Sequence, residues 1–350
     1  MDRSLTTTLI IRFSSVGDII LTSPLIRTLR TRNPHCRIDF LVKEDHADLV
    51  RYNPHLSRTL LLPKGSGLAE LRRIRTQVRE ARYDLILDMH DNLRSRFLTF
   101  GRSPVLRYRK RRLARFVLIH AHHDIYRFAG GAVPMHQRYI EPLAPYGIAD
   151  DGAGPEVFLT PEIAASASAI LASAGLPPAQ QAVGVCPSAR HATKMWDAER
   201  FASAAAALAQ ERALPVILFG SQNETTRCEQ IAERIHAHTP SALVINTAGR
   251  CTLLETAAAM DRCAVVLTND TGLMHLAASR KRPLVAVFGP TVRQFGFFPQ
   301  GTPNVVVEQP GLACRPCTGI GRASCPKKHF RCMSDIATPR VVEAARSLLH

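Results

Sequence analysis

The sequence predicts an α/β protein built as two units, each a largely parallel sheet wrapped by helices. Three observations carry this expectation. Short apolar, β-type runs alternate with helix-period segments. The alternation lapses near residue 150 and restarts near residue 182. At 350 residues the chain also exceeds the roughly 100–200 residues of a single domain. A content of 46% hydrophobic and 21% charged residues is that of a globular chain rather than a disordered or fibrous one.

In chain order, residues 9–13, 37–42, 58–62 and 84–89 read as strands of the first unit, with helices over residues 19–32 and 68–82. The linker is expected at residues 150–155 and 161–178, where Gly, Pro and a small-residue stretch that could form an Ala-rich helix (164–175) come together. The second series of strands covers residues 182–186, 215–219, 242–245, 264–268 and 284–288. Thr338-Pro339 is a helix-start signal, and Val341, Val342, Ala345, Leu348 and Leu349 give the closing helix a packing face. The expected division is 1–160, 161–337 and a terminal helix, 338–350, packing back on the first unit.

Directly after the first strand, Ser14-Ser15-Val16-Gly17-Asp18 leads into a helix, the place where an open α/β sheet forms a ligand crevice. The loop has one glycine, not the three of a dinucleotide fingerprint, and the chain has no GK[ST] phosphate loop. Asp18 reads either as a helix cap or as a general base that takes a proton from an attacking hydroxyl. In the second half, Thr268-Asn269-Asp270-Thr271-Gly272-Leu273-Met274-His275 forms a strand end, a polar turn and a helix start, which presents backbone donors to an anion. Asp270 and Thr271 could equally be caps, and His275 a packing histidine.

Charge and cysteine content add two further expectations. The chain carries +16, and residues 1–150 hold 26 basic against 14 acidic side chains, +12 of that total. A polyanion or an anionic membrane surface is therefore expected mainly at the first unit, against the plainer reading of a solvated Arg-rich surface. The densest segment is Arg107-x-Arg109-Lys110-Arg111-Arg112-x-x-Arg115. No zinc-finger spacing, RNP-like strand or basic zipper accompanies it, so a dedicated nucleic-acid module is not expected. Nine cysteines scattered through a long chain do not form a secreted disulfide scaffold, and no apolar run reaches the roughly 18 residues of a membrane span. A cytoplasmic location is expected. Cys314, Cys317, Cys325 and Cys332 are candidate ligands of a structural zinc, with reduced thiols as the alternative.

The order and spacing of the front segment 10–18, the turn 268–275 and Phe288-Gly289-Pro290-Thr291 resemble glycosyltransferase family nine, the bacterial heptosyltransferases of the lipopolysaccharide inner core. Tyr83-Asp84-Leu85-Ile86-Leu87-Asp88, running on to Asn92-Leu93-Arg94, is also similar. The resemblance implies a GT-B fold of two facing Rossmann-like domains with a C-terminal closing helix, the acceptor on the first and the nucleotide sugar on the second. It makes Asp18 the expected base of an inverting transfer. For the donor, ADP-heptose, it implies Ser188, Arg190, Lys194, Glu224, Asp270, Thr271, Gly272, Leu273 and His275. Met195 and Asp197 depart from the family's usual residues around Trp196, which itself reads as a packing anchor. The implied acceptor is the lipopolysaccharide core or Kdo-lipid A at the cytoplasmic face of the inner membrane, with Arg94, Arg109, Arg111 and Arg112 as anion contacts. No metal is expected in catalysis. A relative using another nucleotide sugar is the alternative within the class; a noncatalytic basic α/β protein binding nucleotide or nucleic acid is the alternative outside it.

Overall fold

The computed structural model describes residues 5–101 and 104–349; the expected outer boundaries at residues 1 and 350 lie outside these. Within them the chain forms two compact units. The first runs to Lys110 and resumes over Met135–Phe158; the second comprises Arg111–Pro134 and everything from Leu159 onward.

In the first unit β1 (Thr7–Ile11), β2 (Arg37–Lys43), β3 (Arg58–Leu62), β4 (Leu85–Asp88) and β5 (Val105–Arg107) form an all-parallel sheet in the order β3-β2-β1-β4-β5. Helices α1 (Val16–Ile20), α2 (Ser23–Arg32), α3 (Asp48–Arg51), α4 (Leu68–Glu80) and α5 (Leu93–Thr99) connect the strands. Leu9, Ile11, Leu41 and Ile86 meet Leu71, Ile74 and Val78 of α4 in one core. The helix expected over 19–32 is two helices: Pro24 at the start of α2 has no N–H to continue the ladder, and Thr22 Oγ1 donates to the Ile19 carbonyl at 2.6 Å where α1 ends. The chain leaves for the second unit as α6 (Arg112–Ala121) and returns as α7 (Met135–Ile140).

After Leu159 the second unit continues with α8 (Pro161–Ser173). This is the Ala-rich helix allowed at 164–175, and it lies in the second unit as the division at 160/161 has it; it packs on α11 (Leu253–Met260), so it is an integral helix rather than part of a linker. Strands β6 (Ala182–Cys186), β7 (Val216–Leu218), β8 (Val244–Asn246), β9 (Cys263–Asn269), β10 (Leu284–Phe288) and β11 (Asn304–Glu308) make a parallel sheet ordered β11-β10-β9-β6-β7-β8. The other helices are α9 (Ala198–Arg212), α10 (Thr225–His238), α12 (Gly272–Ser279), α13 (Arg331–Ser334) and α14 (Thr338–Arg346). The closing helix α14 belongs to the second unit. Val341, Val342 and Ala345 enter the core of the second, against α9, β10 and β11, and each buried Val contributes about 1.5–3 kcal/mol.

Both sheets reverse their strand order once, between β1 and β4 in the first unit and between β6 and β9 in the second. Loops leaving neighbouring strands in opposite directions open a crevice at such a point. The loops after these four strands carry the candidate chemistry.

Candidate active site

At the reversal point of the first sheet, β1 runs into Ser14-Ser15 and α1 delivers Asp18. The Asp18 carboxylate is held from three sides. Arg12 Nη2 lies 2.7 Å from Oδ2, Ser15 Oγ donates to Oδ2 at 2.8 Å, and the hydroxyl of Tyr139 on α7 donates to Oδ1 at 3.0 Å. Burial alone would push this carboxyl up. The Arg12 guanidinium and the two hydroxyls outweigh it and hold Asp18 below its ordinary value, so it is a carboxylate at physiological pH. The capping-box geometry with Ser15 is also present, so cap and candidate base are one residue.

Sequence reasoning missed Arg12 and Tyr139. Arg12 is almost fully buried at the end of β1, where its Nε donates to the Ser14 carbonyl at 2.7 Å and Nη1 to the Met89 carbonyl at 2.5 Å, tying the loop after β1 to the loop after β4. A buried charge needs such partners, and an arginine inside an apolar strand pattern was the available signal. His90, next in that second loop, is pushed down to about 4 by burial and by the nearby Arg12 charge. It is therefore neutral, and its buried Nδ1 has no hydrogen-bond partner among the described residues. Below it, Asp88 accepts from Ser95 Oγ (3.0 Å) and Arg107 (3.2 Å), and Asp91 from Arg96 (2.8 Å), an ionic frame that orders this loop.

In the second sheet the loops after β6 and β9 supply the candidate donor site. Lys194 Nζ lies 2.6 Å from Asp270 Oδ2, and Thr291 Oγ1 donates to the same carboxylate oxygen at 2.7 Å. The expected cation and the expected acid are thus one ion pair, braced from the loop after β10. Ser188 is buried, and its Oγ has no hydrogen-bond partner among the described residues. Such an orphan costs about 1–3 kcal/mol unless a ligand satisfies it. Thr271 stands at the N-cap of α12 without a side-chain cap bond, so its hydroxyl does not occupy the amides that open the helix. His275 lies buried in the first turn of α12, its ring centroid 6.3 Å from that of Phe297. Gly289 after β10 lets the Met333 side chain pack close, since a Cβ would come within 2.9 Å of it and force it to shift.

Asn269, which the sequence reading passed over, organises this loop. Fully buried at the end of β9, it donates to the Pro187 carbonyl at 2.8 Å and accepts from the Trp196 amide at 2.9 Å. Arg227 of α10 clasps the Pro187 and Trp196 carbonyls as well. Trp196 is the packing anchor expected of it: fully buried, edge-on to Phe201, its Nε1 donating to the Ile336 carbonyl at 3.1 Å.

Other expected residues stand differently. Glu224 Oε2 accepts from the Ser221 amide (2.7 Å) and hydroxyl (2.9 Å), closing a capping box, which leaves Oε1 as the oxygen with no bond shown. Arg190 is exposed. The four anion contacts divide between the units: Arg94 and Arg109 are exposed residues of the first, whereas Arg111 and Arg112 belong to the second, where Arg111 Nη1 donates to the Gly131 carbonyl at 2.8 Å. Burial and the neighbouring thiols of Cys314 and Cys325 push Cys317 up, and burial and the other three thiols push Cys332 up to about 11. No group of three or more His, Cys, Asp or Glu among the described residues is placed to hold a metal ion. Cys314 Sγ lies 3.6 Å from His329 Nε2, while Cys332 on α13 is buried in the apolar core.

The sequence pattern of Glycosyltransferase family 9 (heptosyltransferase) matches residues 71–326. The chain is 30% identical over 300 residues to lipooligosaccharide heptosyltransferase 2 of Haemophilus influenzae, covering 82% of this chain and 84% of that protein. It is 28% identical to lipopolysaccharide heptosyltransferase 2 of Salmonella typhimurium, covering 97% and 98%. The solved structure of Escherichia coli ADP-heptose lps heptosyltransferase II superimposes with a TM-score of 0.72 at 24% identity, covering 98% of each chain.

Proposed function

The chain belongs to glycosyltransferase family 9, and from that premise we propose that it transfers heptose from ADP-heptose to the inner core of lipopolysaccharide with inversion at the anomeric carbon. The names of the relatives, and that of the solved ADP-heptose enzyme of the same fold, support the donor and acceptor. The observation that carries the chemistry is the fixed Asp18 carboxylate at the crevice of the first sheet. Asp18 accepts the proton of the attacking acceptor hydroxyl. Its depressed pKa suits a transfer in which the oxygen–carbon bond is well formed before the proton leaves, since the oxygen is then far more acidic than a free alcohol.

On the donor side, Lys194, the Ser188 hydroxyl, the amides opening α12 and His275 meet the diphosphate and offset the charge that grows on it as the glycosidic bond breaks. Their types and placement support this role. No metal takes part in the proposed reaction. A structural zinc at Cys314, Cys317, Cys325 and Cys332, thiols that lie near one another, would have no part in the transfer. The acceptor is Kdo-lipid A or heptosyl-Kdo, and the enzyme works at the cytoplasmic face of the inner membrane. No helix among the described residues is long and apolar enough to cross a membrane.

Asp18→Asn tests this reading. Turnover with ADP-heptose and Kdo-lipid acceptors is expected to fall by about 10²–10⁴ while donor KM stays within a few-fold. Full turnover in that variant would remove the base assignment. Turnover of a different nucleotide sugar in a donor panel would favour a sister activity.

A further inference from the structure

We propose that the outer face of α6 docks the second unit on an anionic lipid bilayer; this rests on the reading of a lipid-linked acceptor. Helix α6 is apolar on two sides. Its inner side, Ala114 and Leu118, packs with Tyr126 and Phe295 in a small core of its own. Its outer side carries Leu113 and Phe116, 71% and 61% exposed, with the His120 ring 4.5 Å from that of Phe116. Positions 113, 116 and 120 share one helical face.

The segments packed against α6 continue the pattern. After Tyr126, Phe128 is 77% exposed under the Arg127 guanidinium, 4.6 Å from the ring centroid. The loop bearing Ile320, 64% exposed, lies against α6 because Gly319 has no side chain: a Cβ there would stand 3.1 Å from Arg115 Cδ and 3.5 Å from Ile119 Cδ1. Leu113 and Phe116 on α6, with Phe128 and Ile320 on the segments packed against it, are four of the nine large apolar side chains exposed among the described residues, and this concentration calls for a cover.

Charge selects what that cover is. Residues 111–134 hold Arg111, Arg112, Arg115 and Arg127 against Asp124 alone, with His120, His122 and His123 beside them. Asp124 already accepts from Gln294 Nε2 at 2.9 Å. An apolar ridge amid cations is the composition of a helix that lies in a headgroup layer, its Leu and Phe in the acyl boundary and its guanidinium groups among phosphates. A two-fold pairing of copies through this face would set the same cationic segment against itself.

The test is co-sedimentation of the full-length protein with vesicles. Partition is expected to be about ten-fold stronger onto phosphatidylglycerol–phosphatidylcholine vesicles than onto phosphatidylcholine alone, and to weaken with salt. The double variant Leu113→Ser/Phe116→Ser should lose about ten-fold in partition while keeping wild-type melting and wild-type transfer to a detergent-dispersed acceptor. Equal partition of variant and wild type overturns the proposal. So does a variant that changes oligomeric state and leaves vesicle binding intact. Vesicle binding requires neither donor nor acceptor, so a failure of sugar transfer strikes the functional reading alone.

Discussion

Asp18 is kept ionised by a neighbour rather than by water, and this fixes the pH behaviour to expect. Its folded pKa lies below the ordinary carboxylate value, so the Arg12 pair adds stability above that ordinary value and loses it as pH falls through the lowered one. The acid limb of kcat/KM is therefore expected below the usual carboxylate range. Arg12→Gln removes the largest opposing effect and leaves the burial, so the limb should move upward by about 1–3 pH units. Tyr139→Phe, which removes one hydroxyl donor at 3.0 Å, should move it less and in the same direction. Profiles that coincide with wild type would disconnect both residues from the base. On the donor side, Lys194→Ala is expected to raise donor KM about ten-fold or more, the loss of a charge-assisted contact, with little effect on acceptor KM. These partners were only partly legible in the sequence. Asp18, Lys194 and Asp270 stand in recognisable segments, but Arg12 and Tyr139 lie 127 positions apart, and only folding brings both to one carboxylate.

At the scale of elements, the interior strands were read to within about two residues, because strands buried on both faces are continuous apolar runs. The reading missed β5 and β11, edge strands in which three or more residues are only half-buried, but read the other two edge strands, β3 and β8. It also failed to divide α1 from α2, although Pro24 was visible, and it ran the linker across α8, whose Ala-rich helix it had allowed. The loop between β6 and α9 is held by side chains of other elements, Asn269 and Arg227. Asn269→Ala would strand the Trp196 amide, at about 1–3 kcal/mol if it stays dry, and would leave the Pro187 carbonyl to Arg227 alone. Donor KM should rise and the melting temperature fall, whereas a variant with unchanged KM would separate the loop from the donor. Trp196→Ala should cost about 3–5 kcal/mol by denaturant titration, as a large buried aromatic does. Since α12 and Lys194 supply the charge compensation in this proposal, transfer should continue in excess EDTA. Activity lost to the chelator and restored by a divalent ion would refute that assignment.

For the molecule as a whole, composition placed the positive charge in the first half and two sheets on either side of a boundary near 160, and the observed boundary lies at Phe158–Leu159. Hidden from the sequence was the detour of residues 111–134, because a helix start amid arginines carries no mark of the unit it will join. The chain consequently passes between the units three times, at 110–111, 134–135 and 158–159. The units are thus not consecutive cassettes. An engineer who grafts residues 159–350 of a relative onto this N-terminal half leaves Ala114, Leu118 and Tyr126 facing a stranger's surface in place of Phe295. The graft should melt lower than one in which residues 111–134 are exchanged along with it, and donor specificity should be inherited cleanly only in the second design.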